Sequence, residues 1–196
     1  MKVLLINGHQ RWEGFAEGRL NQTIIDETQK QLTNTGYEVK TTIVESGYEI
    51  AEELDKYIWA DAVFVQTPVY WMSVPYLFKK YMDEVFTSGI GEVLCTDDGR
   101  TRSDLSKKYG SGGLMTGKKY MLSTTWNAPL ESFEDPTQFF EGKGVDGVFI
   151  WLHKAFQFFN MEPLPTFSCH DVLKDADVKG DLKRLEAHIA KSFPTI

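Results

Sequence analysis

Between Pro68 and Pro75 the chain reads Val69-Tyr70-Trp71-Met72-Ser73-Val74, placing two large rings and a thioether side by side. The apolar run before this loop and the amphipathic run after it, together Val63 to Phe86, predict a strand, a loop and a helix. In an open parallel sheet the loop leaving a strand's carboxyl end is where helix N-termini and free N–H groups converge, so ligands gather there. Tyr70, Trp71 and Met72 would suit a flat aromatic ligand. Rings also pack helices onto sheets, the commoner use of an aromatic cluster, and the loop by itself leaves both readings open.

Other candidate groups narrow the chemistry. Gly142, Gly144 and Gly147 match GxGxxG and precede a helix, but a dinucleotide fingerprint belongs after the first strand of a βαβ unit, with an acid on the second strand. The match reads instead as a loop whose glycines permit close backbone approach. No GxxxxGK[ST] phosphate loop occurs. A better phosphate candidate is the segment from Gly8 to Thr23, where Gly18, Asn21 and Thr23 stand at a helix start and offer N–H and side-chain donors, although as plain capping residues they need no ligand. His9, His153, His170 and His188 show no metal-binding spacing, so no metal is assigned. Gly110-Ser111-Gly112 follows no strand and makes a poor nucleophile elbow. Asn7-Gly8-His9 lacks the acids a phosphoacceptor receiver would need.

What remains is a cleft of aromatics, glycines and neutral polar groups, which suits a cofactor that brings its own reactivity. A flavin fits physically, because its ring system stacks on aromatic side chains and its reduced N1–C2 edge gains negative charge that backbone N–H groups stabilise.

These groups need a scaffold. Lys2 to Asn7 is a short apolar run, expected of a central strand covered on both faces. Leu20, Ile24, Thr28 and Leu32 recur every four residues before Gly36, predicting a helix from about Leu20 to Thr35. Tyr37 to Val44 reads as strand and Ile50 to Trp59 as helix, with Leu54 and Ile58 inward. Ala62 to Thr67 and Tyr120 to Thr125 are further strands, Tyr76 to Phe86 a helix. Glu162 to Phe167, broken by Pro163 and Pro165, fits an irregular edge strand, and Asp181 to Phe193 the last helix. Five strands alternating with helices predict an α/β fold: a flavodoxin-like doubly wound five-stranded parallel sheet in the order 2-1-3-4-5, one domain over residues 1–196. Val148 to Phe159 is apolar almost all round, expected of a helix deeply buried or, as we favour, shared between subunits. The stretches Thr87 to Gly117 and Trp126 to Gly147 resist regular structure. Flanking the fourth strand, both are expected to close over the carboxyl-edge cleft.

A net charge of −7 disfavours nucleic acid as a partner. No apolar run is long enough for a membrane span, and MKVLLIN stops at Asn7-Gly8 without the features of a signal peptide. Cys95 and Cys169, the two cysteines, form no redox or zinc motif, which suggests a reducing, cytoplasmic location.

The strings LLINGHQ, EGRLNQT, WADAVFVQTPVYWMSVPYLFKKYMDEVFTSG, DGRTRSDLSKKYGSGGLMTGKKYML, TTWNAP, QFFEGKGVDGVF and MEPLPTF cover most of the chain. Together they resemble the flavodoxin-like NAD(P)H:quinone oxidoreductase family. The resemblance implies FAD as cofactor, NADPH (or NADH) as hydride donor, a quinone substrate, and active sites at a homodimer interface. It implies that Ala16, Glu17, Gly18, Arg19, Leu20, Asn21, Gln22 and Thr23 hold the phosphates and ribityl chain, and that Val69, Tyr70, Trp71 and Met72 line the isoalloxazine. Tyr109, Thr125, Trp126, Asn127 and Ala128 would complete the site, with Tyr109 and Asn127 as catalytic candidates that orient substrate. Trp12, Glu13 and Gly14 sit in a first loop longer than is usual for the family, and Ala16 and Glu17 replace more polar residues. Asp146 stands where mammalian relatives place a relay histidine, so no relay is carried over.

The expected reaction is ping-pong: hydride passes from nicotinamide to flavin N5, the nicotinamide leaves, and a quinone takes its place. A flavin reductase or azoreductase, or a flavodoxin-type one-electron carrier, is the alternative on this fold.

Overall fold

The computed structural model describes residues 1–194. Thr195 and Ile196, the end of the expected domain, lie outside the described residues. Six strands form one parallel sheet: β1 (Lys2–Asn7), β2 (Glu38–Ile43), β3 (Ala62–Pro68), β4 (Lys119–Thr125), β5 (Glu162–Pro163) and β6 (Phe167–Cys169). The order is β2-β1-β3-β4-β5, with β6 also pairing β4. This is the flavodoxin-like order expected, with the fifth strand split in two. Prolines cause the split: Pro163 and Pro165 lack an N–H, so Glu162–Pro163 pairs with Lys119–Tyr120 and the ladder resumes only at Phe167 opposite Ser123.

Seven helices flank the sheet among the described residues: α1 (Arg19–Asn34), α2 (Ile50–Trp59), α3 (Tyr76–Ser88), α4 (Glu131–Glu134), α5 (Gly144–Val148), α6 (Ile150–Phe158) and α7 (Val178–Ser192). Strand residues alternate between two cores. Leu4, Ile6, Val63, Val65, Tyr120 and Leu122 meet α2, α3 and α6, whereas Val3, Leu5, Phe64 and Met121 meet α1 and α7. Burial on both faces explains why β1 and β3 read as continuous apolar runs. No described helix is long and apolar enough to cross a membrane.

Three expectations are corrected. Ile58 points to solvent and Leu54 is half-buried; the inward residues of α2 are Glu53 and Tyr57. A carboxylate can lie there because Thr42 Oγ1, Tyr81 Oη and Lys56 Nζ all donate to it. The last helix starts three residues early because Asp177 caps it, accepting from the Gly180 N–H at 2.9 Å. The third correction concerns Thr87 to Gly117. Helix α3 runs antiparallel to the strands, so its end and the start of β4 share the amino edge of the sheet, opposite the cleft. The segment is fastened there by Met115 N–H to the Phe159 carbonyl, 2.9 Å, and the Lys118 that follows it places Nζ on the carbonyls of Ile58 and Ala60. Trp126 to Gly147 does lie at the carboxyl edge, and it contains α4 and most of α5.

Helix α6 is buried largely by its own chain, through Leu152, His153 and Phe156, while Ile150 is exposed. Asp146 accepts from His153 Nε2 at 3.2 Å, and His153 Nδ1 lies 2.8 Å from Tyr120 Oη. The bond holds the Asp146 carboxyl below its ordinary pKa, and burial lifts Tyr120 to about 12. This Asp-His-Tyr chain lines neither cavity described below. It ties α5 and α6 to β4.

Candidate active site

At the carboxyl edge a cleft of about 860 Å³ opens between the start of α1 and the loop after β3. One end is built on Gly18, the N-cap of α1, whose φ of +78° is left-handed. Gly18 has no side chain with which to cap, and the first helical bond runs from Gln22 N–H to the Gly18 carbonyl, 2.9 Å. The N–H groups of Arg19, Leu20 and Asn21 therefore have no partner among the described residues, and they form the positive end of the α1 dipole. That is a ready anion site. A Cβ at Gly18 would stand 2.7 Å from the His9 ring, so only glycine brings the backbone this close.

His9 was not assigned from the sequence, and it forms the floor of this end. Its ring lies 3.8 Å from Glu45 and 3.5 Å from Tyr70 Oη. Burial lowers its pKa, partly opposed by Glu45, and favours neutral imidazole. Tyr70 Oη donates to the Gln10 carbonyl at 2.7 Å, and burial together with Glu45 raises its pKa to about 12.

A polar chain anchors α1 to the sheet beneath the cleft. Ser123 Oγ donates to Gln66 Oε1, Gln66 Nε2 to Asn21 Oδ1 at 2.9 Å, Asn21 Nδ2 to Asn7 Oδ1, and Asn7 Nδ2 to Gln22 Oε1 at 2.9 Å. Thr23 Oγ1 returns to the Arg19 carbonyl at 2.9 Å. Asn21, Gln22 and Thr23, expected as ligand donors, thus spend their side chains inside the protein. Asn21 still lines the cleft; Gln22 and Thr23 do not. Glu17 accepts from Gly14 N–H at 2.7 Å and from Arg11 Nε at 2.6 Å, which together depress its pKa and brace the longer first loop.

The other end is the aromatic loop. Tyr70 and Ser73 exchange backbone hydrogen bonds of 2.9 and 3.1 Å across Trp71 and Met72, whose φ angles are +50° and +61°. This two-residue turn requires left-handed backbone at both central positions and normally takes Asn-Gly. Here it holds Trp71 93% exposed beside the cleft. Pro68, Val69, Thr125 and Asn127 continue the wall, Trp12 and Phe15 form its outer lip, and Val172 and Leu173 close it from the loop after β6. The sequence reading missed these last four, because neither their types nor their spacing announces that two distant loops meet.

A second cavity of about 350 Å³ adjoins the first, sharing Val69, Trp71 and Asn127, and is lined also by Met72, Trp126, Ala128, Pro129, Phe140 and Lys174. Trp126 is fixed by Nε1–H to Thr124 Oγ1 at 2.8 Å. Tyr109 lines neither cavity. It is exposed and packs on Phe158, ring centroids 5.5 Å apart, at the end of α6. Gly142 and Gly144 have positive φ; Gly142 lies in the loop, Gly144 opens α5, and neither lines either cavity.

Residues 1–192 match the flavodoxin-like fold family Flavodoxin_2. The chain belongs to that family. It is 44% identical to the NADPH:quinone oxidoreductase MdaB of Haemophilus influenzae over 98% of this chain and 100% of that protein. Among solved structures, the NAD(P)H:quinone oxidoreductase of Methanothermobacter marburgensis superposes with a TM-score of 0.67 at 13% identity, covering 96% of this chain and 97% of its own. An FMN-dependent NADH-azoreductase of Bacillus anthracis superposes with a TM-score of 0.69 at 12% identity, covering 97% and 98%. At such identities the structural likeness speaks for the fold.

Proposed function

We propose that this chain is a flavin-dependent NAD(P)H:quinone oxidoreductase, one domain over residues 1–196, that holds FAD in the larger cleft. The observation that carries this reading is the pairing of an uncapped helix start with a strained aromatic turn across one cleft. The first suits phosphate and the second a planar ring system. The near-full-length relative named as a quinone reductase supports it. Trp12 and Phe15, two exposed rings that line the same cleft, offer an adenine a surface to stack on, which favours FAD over FMN.

A bound flavin supplies hydride transfer. The N–H groups of Arg19 to Asn21 would hold its phosphate, and Tyr70 and Trp71 would pack against its ring. Asn127, exposed where the two cavities meet, orients the reactant in the second cavity. That cavity takes NADPH and quinone in turn, so the kinetics are ping-pong. Tyr109, remote from the cleft of its own chain, completes the cleft of the other subunit in a homodimer. The two free, buried cysteines suit a reducing cytoplasm.

The test is the purified protein with NADPH and a series of acceptors. Released FAD, parallel double-reciprocal lines, and the highest kcat/KM with a quinone support the proposal. A higher kcat/KM with an azo dye or free flavin overturns the substrate assignment, and stable semiquinone in an anaerobic titration would mark a one-electron carrier.

A further inference from the structure

The second cavity is apolar and aromatic except at two residues, Asn127 and Lys174. Lys174 is the one charged residue lining it, and among the described residues no carboxylate lies within ion-pair distance of its ammonium. Its ammonium is therefore free to meet a ligand at the mouth of an otherwise apolar cavity. The loop carrying it is held in place: Lys174 N–H donates to the Asp171 carbonyl and Asp171 N–H to the Ala128 carbonyl, both at 3.2 Å. Asp171 is left-handed at φ +53°, a conformation unfavourable for a non-glycine residue. The loop thus ties Lys174 to the same Ala128 wall that carries Asn127.

We propose that Lys174 is a specificity-determining residue that selects reactants bearing an anionic group, whose ring enters the second cavity while the anion meets the ammonium at the rim. This rests on the function proposed above and names the substrate class of its second cavity. Lys174 is exposed at the rim, so its ammonium can meet the anion of a reactant whose ring lies against the apolar walls, and charge complementarity of this kind discriminates between otherwise matched ligands. The anionic group is either the 2′-phosphate that distinguishes NADPH from NADH or an acidic substituent on the acceptor.

Calorimetric titration of the FAD-loaded protein tests this without turnover, using two matched pairs: NADP⁺ against NAD⁺, and 9,10-anthraquinone-2-sulfonate against 2-(hydroxymethyl)-9,10-anthraquinone, neither of which arylates amines. Wild type should bind the anionic member of one pair at least about tenfold more tightly. Lys174→Met should abolish that ratio with the neutral member changed less than about twofold, and Lys174→Arg should retain it. The pair that loses its ratio identifies the source of the anion. Equal binding within both pairs by wild type, or ratios unchanged in Lys174→Met, overturns the proposal. Turnover of the neutral quinone by wild type is read separately, so failure of the quinone reductase assignment is distinguishable from failure of the lysine's role.

Discussion

Trp71 and Met72 occupy the two positions of a turn that prefers Asn and Gly, and the consequence can be measured. A left-handed backbone costs an ordinary residue about 1–2 kcal/mol. Trp71 is 93% exposed, so its ring returns little packing energy within the chain. In the double variant Trp71→Asn, Met72→Gly, Asn tolerates the conformation and Gly adopts it freely, while the flexibility that Gly adds to the unfolded chain takes back about 0.5–1 kcal/mol. The net expectation is a flavin-free protein more stable by about 1–2 kcal/mol, or about 2–8 °C in Tm for a chain of this length. Flavin binding should move the other way. An aromatic pair contributes about 0.5–1.5 kcal/mol beyond the area it buries, so loss of the indole should weaken binding by about two- to tenfold from stacking alone, and further through the apolar area no longer covered. Thermal unfolding of the apo protein and fluorescence titration with FAD measure the two effects independently. An apo variant that melts at or below wild type would refute the claim that this turn is strained to present its ring.

Other outcomes follow from the same geometry. Gly18→Ala should lower stability and flavin affinity more than Gly14→Ala: both glycines have positive φ, but only at Gly18 does a Cβ meet the His9 ring. The expected costs are about 2–4 kcal/mol against about 1 kcal/mol by chemical denaturation. Gln66→Leu leaves the buried Ser123 Oγ and Asn21 Oδ1 without partners, so it should cost about 2–4 kcal/mol and loosen the start of α1, seen as a lower denaturation midpoint and faster amide exchange there. Burial lowers the pKa values of His9 and His170 in the folded protein. The unfolded chain then binds more protons, so stability should be full above the unfolded value of about 6.5 and fall as pH drops through it towards the folded values. Urea midpoints from pH 8 to 5 measure this, and His9→Gln should flatten the slope.

The sequence by itself determined the sheet. Continuous apolar runs at Lys2–Asn7 and Ala62 to Thr67, helical spacing between them and glycine stops are local signals, and right-handed winding of βα units narrows the strand order to a few, among them the 2-1-3-4-5 that is observed. It also marked the aromatic turn and Gly18, because prolines, rings and glycine carry their conformational reasons with them. Only the tertiary structure decided which face of α2 is inward, since Glu53 is buried by partners on β2 and α3 that no periodicity reveals. Folding likewise committed the side chains of Asn21 and Gln22 to partners within the protein, and took Gln22 out of the cleft lining, because buried amides on three neighbouring elements needed partners. It carried Thr87 to Gly117, with Tyr109, to the amino edge, because a helix returning from a strand must end there. The loops of Trp12, Phe15 and Leu173 meet at one cleft although they lie far apart in the chain, with Lys174 on the cavity beside it, and their proximity is a property of the sheet's carboxyl edge rather than of any motif.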